Sequence, residues 1–137
     1  LPGGTLTALK RDKGSLAAEI LWENNKLAPG NASPLVYRDR VYVLNKAGVF
    51  TCANVADGQI VWQTRLKGPF WATPVIAGDH AYCVNQDGLG QVVKLSETKG
   101  EIVGEGNFEE PVLGTPAIAN GALYVRSQGH LWKISKR

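Results

Sequence analysis

Three times along the chain the apolar and polar positions fall in the same order. A Ser-Pro or Thr-Pro step is followed by two apolar residues, a polar turn, an alternating run around a Tyr, and a turn closed by Gly. The copies are ASPLVYRDRVYVLNKAG at 32–48, ATPVIAGDHAYCVNQDG at 72–88 and GTPAIANGALYVRSQG at 114–129. Pro34, Pro74 and Pro116 stand 40 and 42 residues apart, and Tyr42, Tyr82 and Tyr124 keep the same two spacings. A period of this size marks a repeat architecture in which each unit packs on its neighbours.

The turns after the apolar pair are Arg38-Asp39, Gly78-Asp79 and Asn120-Gly121, all with good turn chemistry. The turns after the Tyr strand close on Gly48, Gly88 and Gly129. A third strand follows each of them: VFTCAN at 49–54, QVVKLS at 91–96 and HLWKIS at 130–135, with TLTALK at 5–10 as the same strand of an earlier copy. A fourth strand is QIVWQT after Asp57-Gly58, EIVGEG after Lys99-Gly100, and EILWEN at 19–24 in the first, truncated copy. No stretch sustains apolar residues at i, i+3, i+4 and i+7 between helix caps. Four short antiparallel strands per unit predict an all-β chain, a β-propeller with about three blades present. The expected divisions of this single partial domain are 1–31 (the end of one blade), 32–71 and 72–114 (whole blades), and 115–137 (three strands of a last blade).

A small twisted sheet with two apolar faces cannot bury both alone, so the blades must stack face to face. Leu44, Val61, Val75, Val92, Val103, Ile118 and Val125 are expected in the core between blades. Trp22 and Trp62 hold the same place in the fourth strand, where a ring can cover the next blade and use its indole N–H at the edge. Slightly more than three blades fall short of the four to eight of a closed ring. The chain is therefore expected to be the C-terminal part of a larger propeller, or one component of a ring built from several chains. Its expected partners are protein: remaining blades, through self-association or another chain.

Composition adds bounds. The chain is 44% hydrophobic and 20% charged, enough to bury a core. Its fifteen basic residues are scattered, and the net charge is +3. Nucleic-acid binding, which uses clustered Lys and Arg on one face, is not expected. No apolar run is long enough for a membrane-spanning helix. The opening LPGG lacks a Met and a basic-then-apolar leader, so a mature or excised segment is expected. Cys52 and Cys83 form no C-x-x-C pair, and both lie in apolar strand patterns. They read as small buried hydrophobes; a disulfide between them stays open.

Candidate chemistry is sparse. NQDG at 85–88 lacks the spaced ligand run of a calcium loop and reads as a turn. GLGQ at 88–91 precedes a strand, so it is no phosphate loop. His80 and His130 have no partner at metal or catalytic spacing and read as surface or edge residues. No catalytic residue and no metal ligand is assigned. GPFWATP at 68–74 joins one blade to the next, and such loops line one mouth of a ring. Phe70 and Trp71 there could anchor a peptide or flat ligand, or one ring could pack under the next blade. Phe108, Glu109 and Glu110 fall in the equivalent loop one unit on. Arg65 and Lys67 lead into the first loop. Aromatic and charged groups on one rim suit protein recognition.

The Thr-Pro phrase, the Tyr strand and the closing ADGQIVW at 56–62 together resemble the repeat of the pyrroloquinoline quinone (PQQ) propeller family. ETKGEIVG at 97–104 keeps the theme but has Gly104 where that repeat has Trp. The resemblance covers almost the whole chain and implies the fold. It implies two branches of function. One holds PQQ and calcium in quinoprotein dehydrogenases; the other is non-catalytic and includes the propeller lipoprotein of the outer-membrane protein assembly machine. The catalytic branch implies a base Asp, clustered calcium ligands and often adjacent cysteines; here the cysteines are not adjacent and no Asp or Glu sits in a compact ligand cluster. No cofactor is evident; PQQ and calcium belong to the enzyme alternative. The expectation is a non-catalytic protein-binding or scaffolding propeller, periplasmic or extracellular by family. Two alternatives remain: a fragment of a quinoprotein dehydrogenase and a ligand-sensing ectodomain.

Overall fold

The computed structural model describes residues 4–136. β1 (Leu6–Lys10) and β2 (Glu19–Asn24) form a two-stranded sheet. β3 (Leu35–Tyr37), β4 (Arg40–Leu44), β5 (Val49–Asn54) and β6 (Ile60–Arg65) form a four-stranded sheet in chain order. β7 (Val75–Ala77), β8 (His80–Val84), β9 (Leu89–Leu95) and β10 (Gly100–Asn107) repeat it. β11 (Ala117–Ala119), β12 (Ala122–Arg126) and β13 (Leu131–Ser135) form a three-stranded sheet. Every pairing is antiparallel. These four sheets, blades 1 to 4, are those of a β-propeller. Arg38, Gly78 and Asn120 have φ of 56°, 60° and 51°, the left-handed backbone that two-residue hairpins require.

Each blade presents alternate strand residues to its two neighbours. Leu27, Val41, Val43 and Ala53 are buried between blades 1 and 2, with Leu6, Trp22 and Ile60 against them. The largest core lies between blades 2 and 3. It contains Tyr42, Leu44, Phe50, Cys52, Trp62, Leu66, Phe70, Ala81, Cys83 and Val93. Tyr42, Phe50 and Trp62 pack ring to ring with centroids 5.9–6.0 Å apart. Cys52 and Cys83 are free, buried thiols in this core. Between blades 3 and 4 the buried set is smaller: Val84, Val112 and Val125, with Phe108 and Leu123 beside them.

A β-bulge recurs in every outer strand. Ala8 faces Trp22 and Leu9 faces Ile20; Cys52 faces Trp62 and Ala53 faces Ile60; Val93 faces Ile102 and Val92 faces Gly104. Leu21, Val61 and Val103 are the extra residues. A bulge breaks strict alternation. Ile60 therefore joins the core with blade 1, while Trp62, two residues on, joins the core with blade 3.

Part of the expected core is corrected. Leu44 and Val125 are buried, Val61 packs against the core of blades 2 and 3, and Val75 and Val92 are half-buried. Val103 is 50% exposed. It is the bulge residue of β10, and three-stranded blade 4 has no outer strand among the described residues to cover it. Ile118, on the inner-edge strand β11, is 41% exposed, as the equivalent Val36 is at 68%. At the two ends, Leu9 and Ile20 on blade 1 and Leu131 on blade 4 stand open.

Candidate functional site

Three crossing loops carry the chain from an outer strand to the next inner strand: 25–34 from β2 to β3, and two that resemble each other closely, 66–74 from β6 to β7 and 108–116 from β10 to β11. Each of these last two is stitched to two hairpins on one rim. The Leu66 and Phe70 amides donate to Gly48 O and Lys46 O (2.8 and 3.0 Å), and Gln86 N donates to Pro69 O (2.9 Å). One blade on, the Phe108 and Val112 amides donate to Gly88 O and Gln86 O (2.9 and 3.1 Å), and Gln128 N donates to Pro111 O (3.0 Å). Phe70 and Val112 are thus equivalent, as are Trp71 and Leu113.

Side chains from blade 3 hold the first loop further. Gln91 Oε1 accepts Lys67 N and Asn85 Nδ2 donates to Lys67 O, both at 2.8 Å. Both amides are buried. Gly68 makes room, since a Cβ there would stand 2.1 Å from Asn85 Nδ2. Asn85 Oδ1 also accepts Asp87 N and Leu89 N, which fixes its orientation. Outside this clamp Lys67 Nζ pairs with Glu105 at 3.0 Å. The bond from Lys67, then that from Gln91, holds the Glu105 carboxyl below its ordinary range.

The residues singled out from the sequence separate here. Phe70 is 1% exposed and belongs to the core of blades 2 and 3, so it offers no surface to a partner. Trp71 is 46% exposed. Arg65 borders an open cleft of about 580 Å³ shared with Lys46, Ala47, Leu66, Gly68 and Pro69. Glu109 is exposed, with φ of 57°. Phe108 is half-buried, edge-on to Trp132. Glu110 is half-buried and bonds inward, to Ser127, Gly129 N and His130. The rim is basic beside blade 2 (Lys46, Arg65) and acidic beside blades 3 and 4 (Asp87, Glu109), with Trp71 and Leu113 exposed along the loops between.

The repeat residues build the frame under this rim. Gly48 and Gly88 take φ of 93° and 89°, and a Cβ at either would strike the backbone of a crossing loop. Gly129 lies against the Glu110 carboxylate instead. Tyr42 is buried at the blade 2–3 joint, while Tyr82 and Tyr124 are half-buried. Trp22 and Trp62 each send the indole N–H to a carbonyl of the next blade, Val55 O at 2.7 Å and Ser96 O at 3.0 Å. Pro34, Pro74 and Pro116 follow hydroxyl residues with an axial role. Ser33 N donates to Thr73 Oγ1 at 2.8 Å, and Thr73 N to Thr115 Oγ1 at 3.2 Å. Sequence reasoning passed over Ser33, Thr73, Thr115, Asn85, Gln91 and Leu113. The first three carried a signal, a hydroxyl residue before every repeat Pro.

Glu110, Ser127 and His130 have the composition of a hydrolase triad but are wired differently. Ser127 Oγ and His130 Nδ1 both turn to the carboxylate, so the ring does not take the hydroxyl proton. No group of three His, Cys, Asp or Glu among the described residues is placed to hold a metal ion. A calcium-bound quinone needs several convergent oxygens, and these residues do not fit it.

A family model described as outer membrane protein assembly factor BamB matches residues 2–103. Among solved structures, BamB from Moraxella catarrhalis aligns with a TM-score of 0.75 and 23% identity, over 97% of this chain and 40% of that one. A quinohemoprotein alcohol dehydrogenase from Pseudomonas putida HK5 aligns with a TM-score of 0.61 and 14% identity, over 72% of this chain and 17% of that one. A europium-containing methanol dehydrogenase gives 0.56 and 13%, over 75% and 21%. At these identities the likeness shows the fold alone. This chain spans 40% of the length of the Moraxella protein. No curated protein matches it.

Proposed function

The chain belongs to the outer membrane protein assembly factor BamB family, and on that premise we propose that it is a non-catalytic scaffolding propeller, outside the cytoplasm, whose crossing-loop rim binds a protein partner. One observation carries the reading. Trp71 is displayed on a loop whose backbone is held from two blades and whose entry is clamped by buried Asn85 and Gln91. A large aromatic ring on a fixed loop loses little entropy on binding, the condition for an interface anchor. Leu113 extends the apolar strip, and Arg65 and Glu109 supply opposite charges at its ends.

The open faces of blades 1 and 4 fit joints to further blades, in the same chain or another. The outer-membrane protein assembly machinery is the partner that the family description favours. The test is retention of that complex, solubilised in detergent, on immobilised protein. Trp71→Ala is expected to lose retention while its melting curve stays unchanged. Retention equal to wild type overturns the rim reading. The quinoprotein alignments do not favour an enzyme, because they show the fold alone.

A further inference from the structure

The joint between blades 3 and 4 differs in kind from the joint before it. Blades 2 and 3 close over four large rings, and the Trp62 indole is seated on Gly100. At the positions of Trp62 and Thr64, blade 3 has Gly104 and Gly106, so β10 sends no side chain across there. Beside the small core of Val84, Val112 and Val125 and the bond from Gln128 N to Pro111 O, one carboxylate crosses this joint. Glu110 Oε2 accepts the Ser127 hydroxyl and Gly129 N (3.0 Å), and Oε1 accepts His130 Nδ1 at 2.5 Å. Buried Ser127 in turn accepts the Trp132 indole N–H at 2.8 Å. Trp132 packs edge-on to Phe108, with centroids 5.6 Å apart. Glu110 therefore ties the turn of the β12–β13 hairpin and, through Ser127, its aromatic ring to blade 3, in addition to the small apolar core.

We propose that Glu110 is an acid-operated clasp: charged, it locks blade 4 onto blade 3; protonated, it frees blade 4 while blades 2 and 3 stay closed. A carboxylate has acceptor sites for three donors at once, whereas a protonated carboxyl carries a hydrogen on one oxygen and must itself donate. Protonation also removes the charge that strengthens each bond. His130 is the ionisable side chain bonded to Glu110, and it adds a charge attraction when protonated. From the β8–β9 hairpin below, Gly88 makes the contact and carries no charge. The neighbour in the loop, Glu109, is exposed. The Ser127 bond first, then that from Gly129, holds the Glu110 carboxyl below its ordinary range. A folded value below the unfolded one gives stability that is complete above the unfolded value and lost as pH falls through the folded one. At the joint of blades 2 and 3 the clamping amides of Asn85 and Gln91 do not titrate. The carboxylate there, Glu105, holds Lys67 and Gln91 at the edge of a core that its protonation leaves in place.

The test is amide hydrogen exchange of the whole chain from pH 7 to 3, corrected for intrinsic rates. Protection over 117–135 is expected to fall at least tenfold on acidification, while protection over 75–95 holds. Glu110→Gln is expected to show low protection of blade 4 at every pH. Glu110→Asp keeps an acid transition, and Glu109→Gln behaves as wild type. Loss of protection in blades 3 and 4 together, an unchanged blade 4 at pH 3, or a wild-type acid transition in Glu110→Gln overturns the proposal.

Discussion

The Trp62 ring abuts Gly100 of the next blade, so close that a Cβ on Gly100 would stand 2.6 Å from it. Trp22 makes the same approach to Gly58 one unit earlier. The residue two places on completes each latch: Asn24 Nδ2 donates to Gly58 O at 2.8 Å, and Thr64 Oγ1 to Gly100 O at 2.7 Å. The latch explains why the repeat pairs a Trp with a Gly at a distance of 36 or 38 residues (58 − 22 and 100 − 62).

Gly100 lacks a left-handed φ, so Gly100→Ala isolates the steric part of the latch. It is expected to cost about 1–3 kcal/mol, the range for overpacking a core. Trp62→Ala is expected to cost about 3–5 kcal/mol. Urea titration of the single and double variants checks this. The cost of Gly100→Ala should shrink when Trp62 is already Ala, since the clash is then gone.

Asn85 serves three backbone groups with one amide. Asn85→Ala is expected to destabilise the chain by about 1–3 kcal/mol by leaving the Lys67 carbonyl and two amides without partners. Chemical denaturation gives the size. Amide exchange at Asp87 and Leu89, the two amides that Asn85 Oδ1 accepts, locates it, and both should speed up.

The axial hydroxyl ladder is expected to contribute modestly. Thr73→Val keeps the shape but removes the acceptor for Ser33 N, and should cost about 0.5–1.5 kcal/mol. Thr73→Ser should restore most of it. A melting-temperature series across Thr, Ser and Val reads out the order.

Alkaline stability should track Tyr42. Burial foremost pushes its hydroxyl from 10.0 up to about 12. A raised folded value means that stability is complete below the unfolded value and falls as pH rises from about 10 towards 12. The buried thiols of Cys52 and Cys83 move in the same direction. Tyr42→Phe, with no proton to lose, should keep more of its pH 9 stability at pH 12 than the wild-type chain keeps. Denaturation midpoints at the two pH values decide it.

Strand number, order and hairpin positions were legible in the chain itself, because they rest on local rules. EILWEN at 19–24 is β2, and the turns at Arg38 and Asn120 fall where turn chemistry puts them. A period near 41 residues then dictates blades, since a two-faced sheet must be covered by its neighbour. Trp22 and Trp62 could be paired by position alone. Other features depend on two blades meeting. Position in the repeat placed Val103 in the core as it did Val61, but Val61 is covered by blade 3, whereas no described outer strand of blade 4 covers Val103. Phe70 and Trp71 are adjacent and both aromatic. The Phe70 amide is tied to Lys46 O, which seats its ring in the core and leaves Trp71 outside. Nothing in the order of residues distinguishes them; the hydrogen bond that does comes from a hairpin 24 residues away (70 − 46). Likewise Glu110 and Ser127 acquire roles only when blade 4 folds back on the loop that precedes it, because a clasp needs both halves.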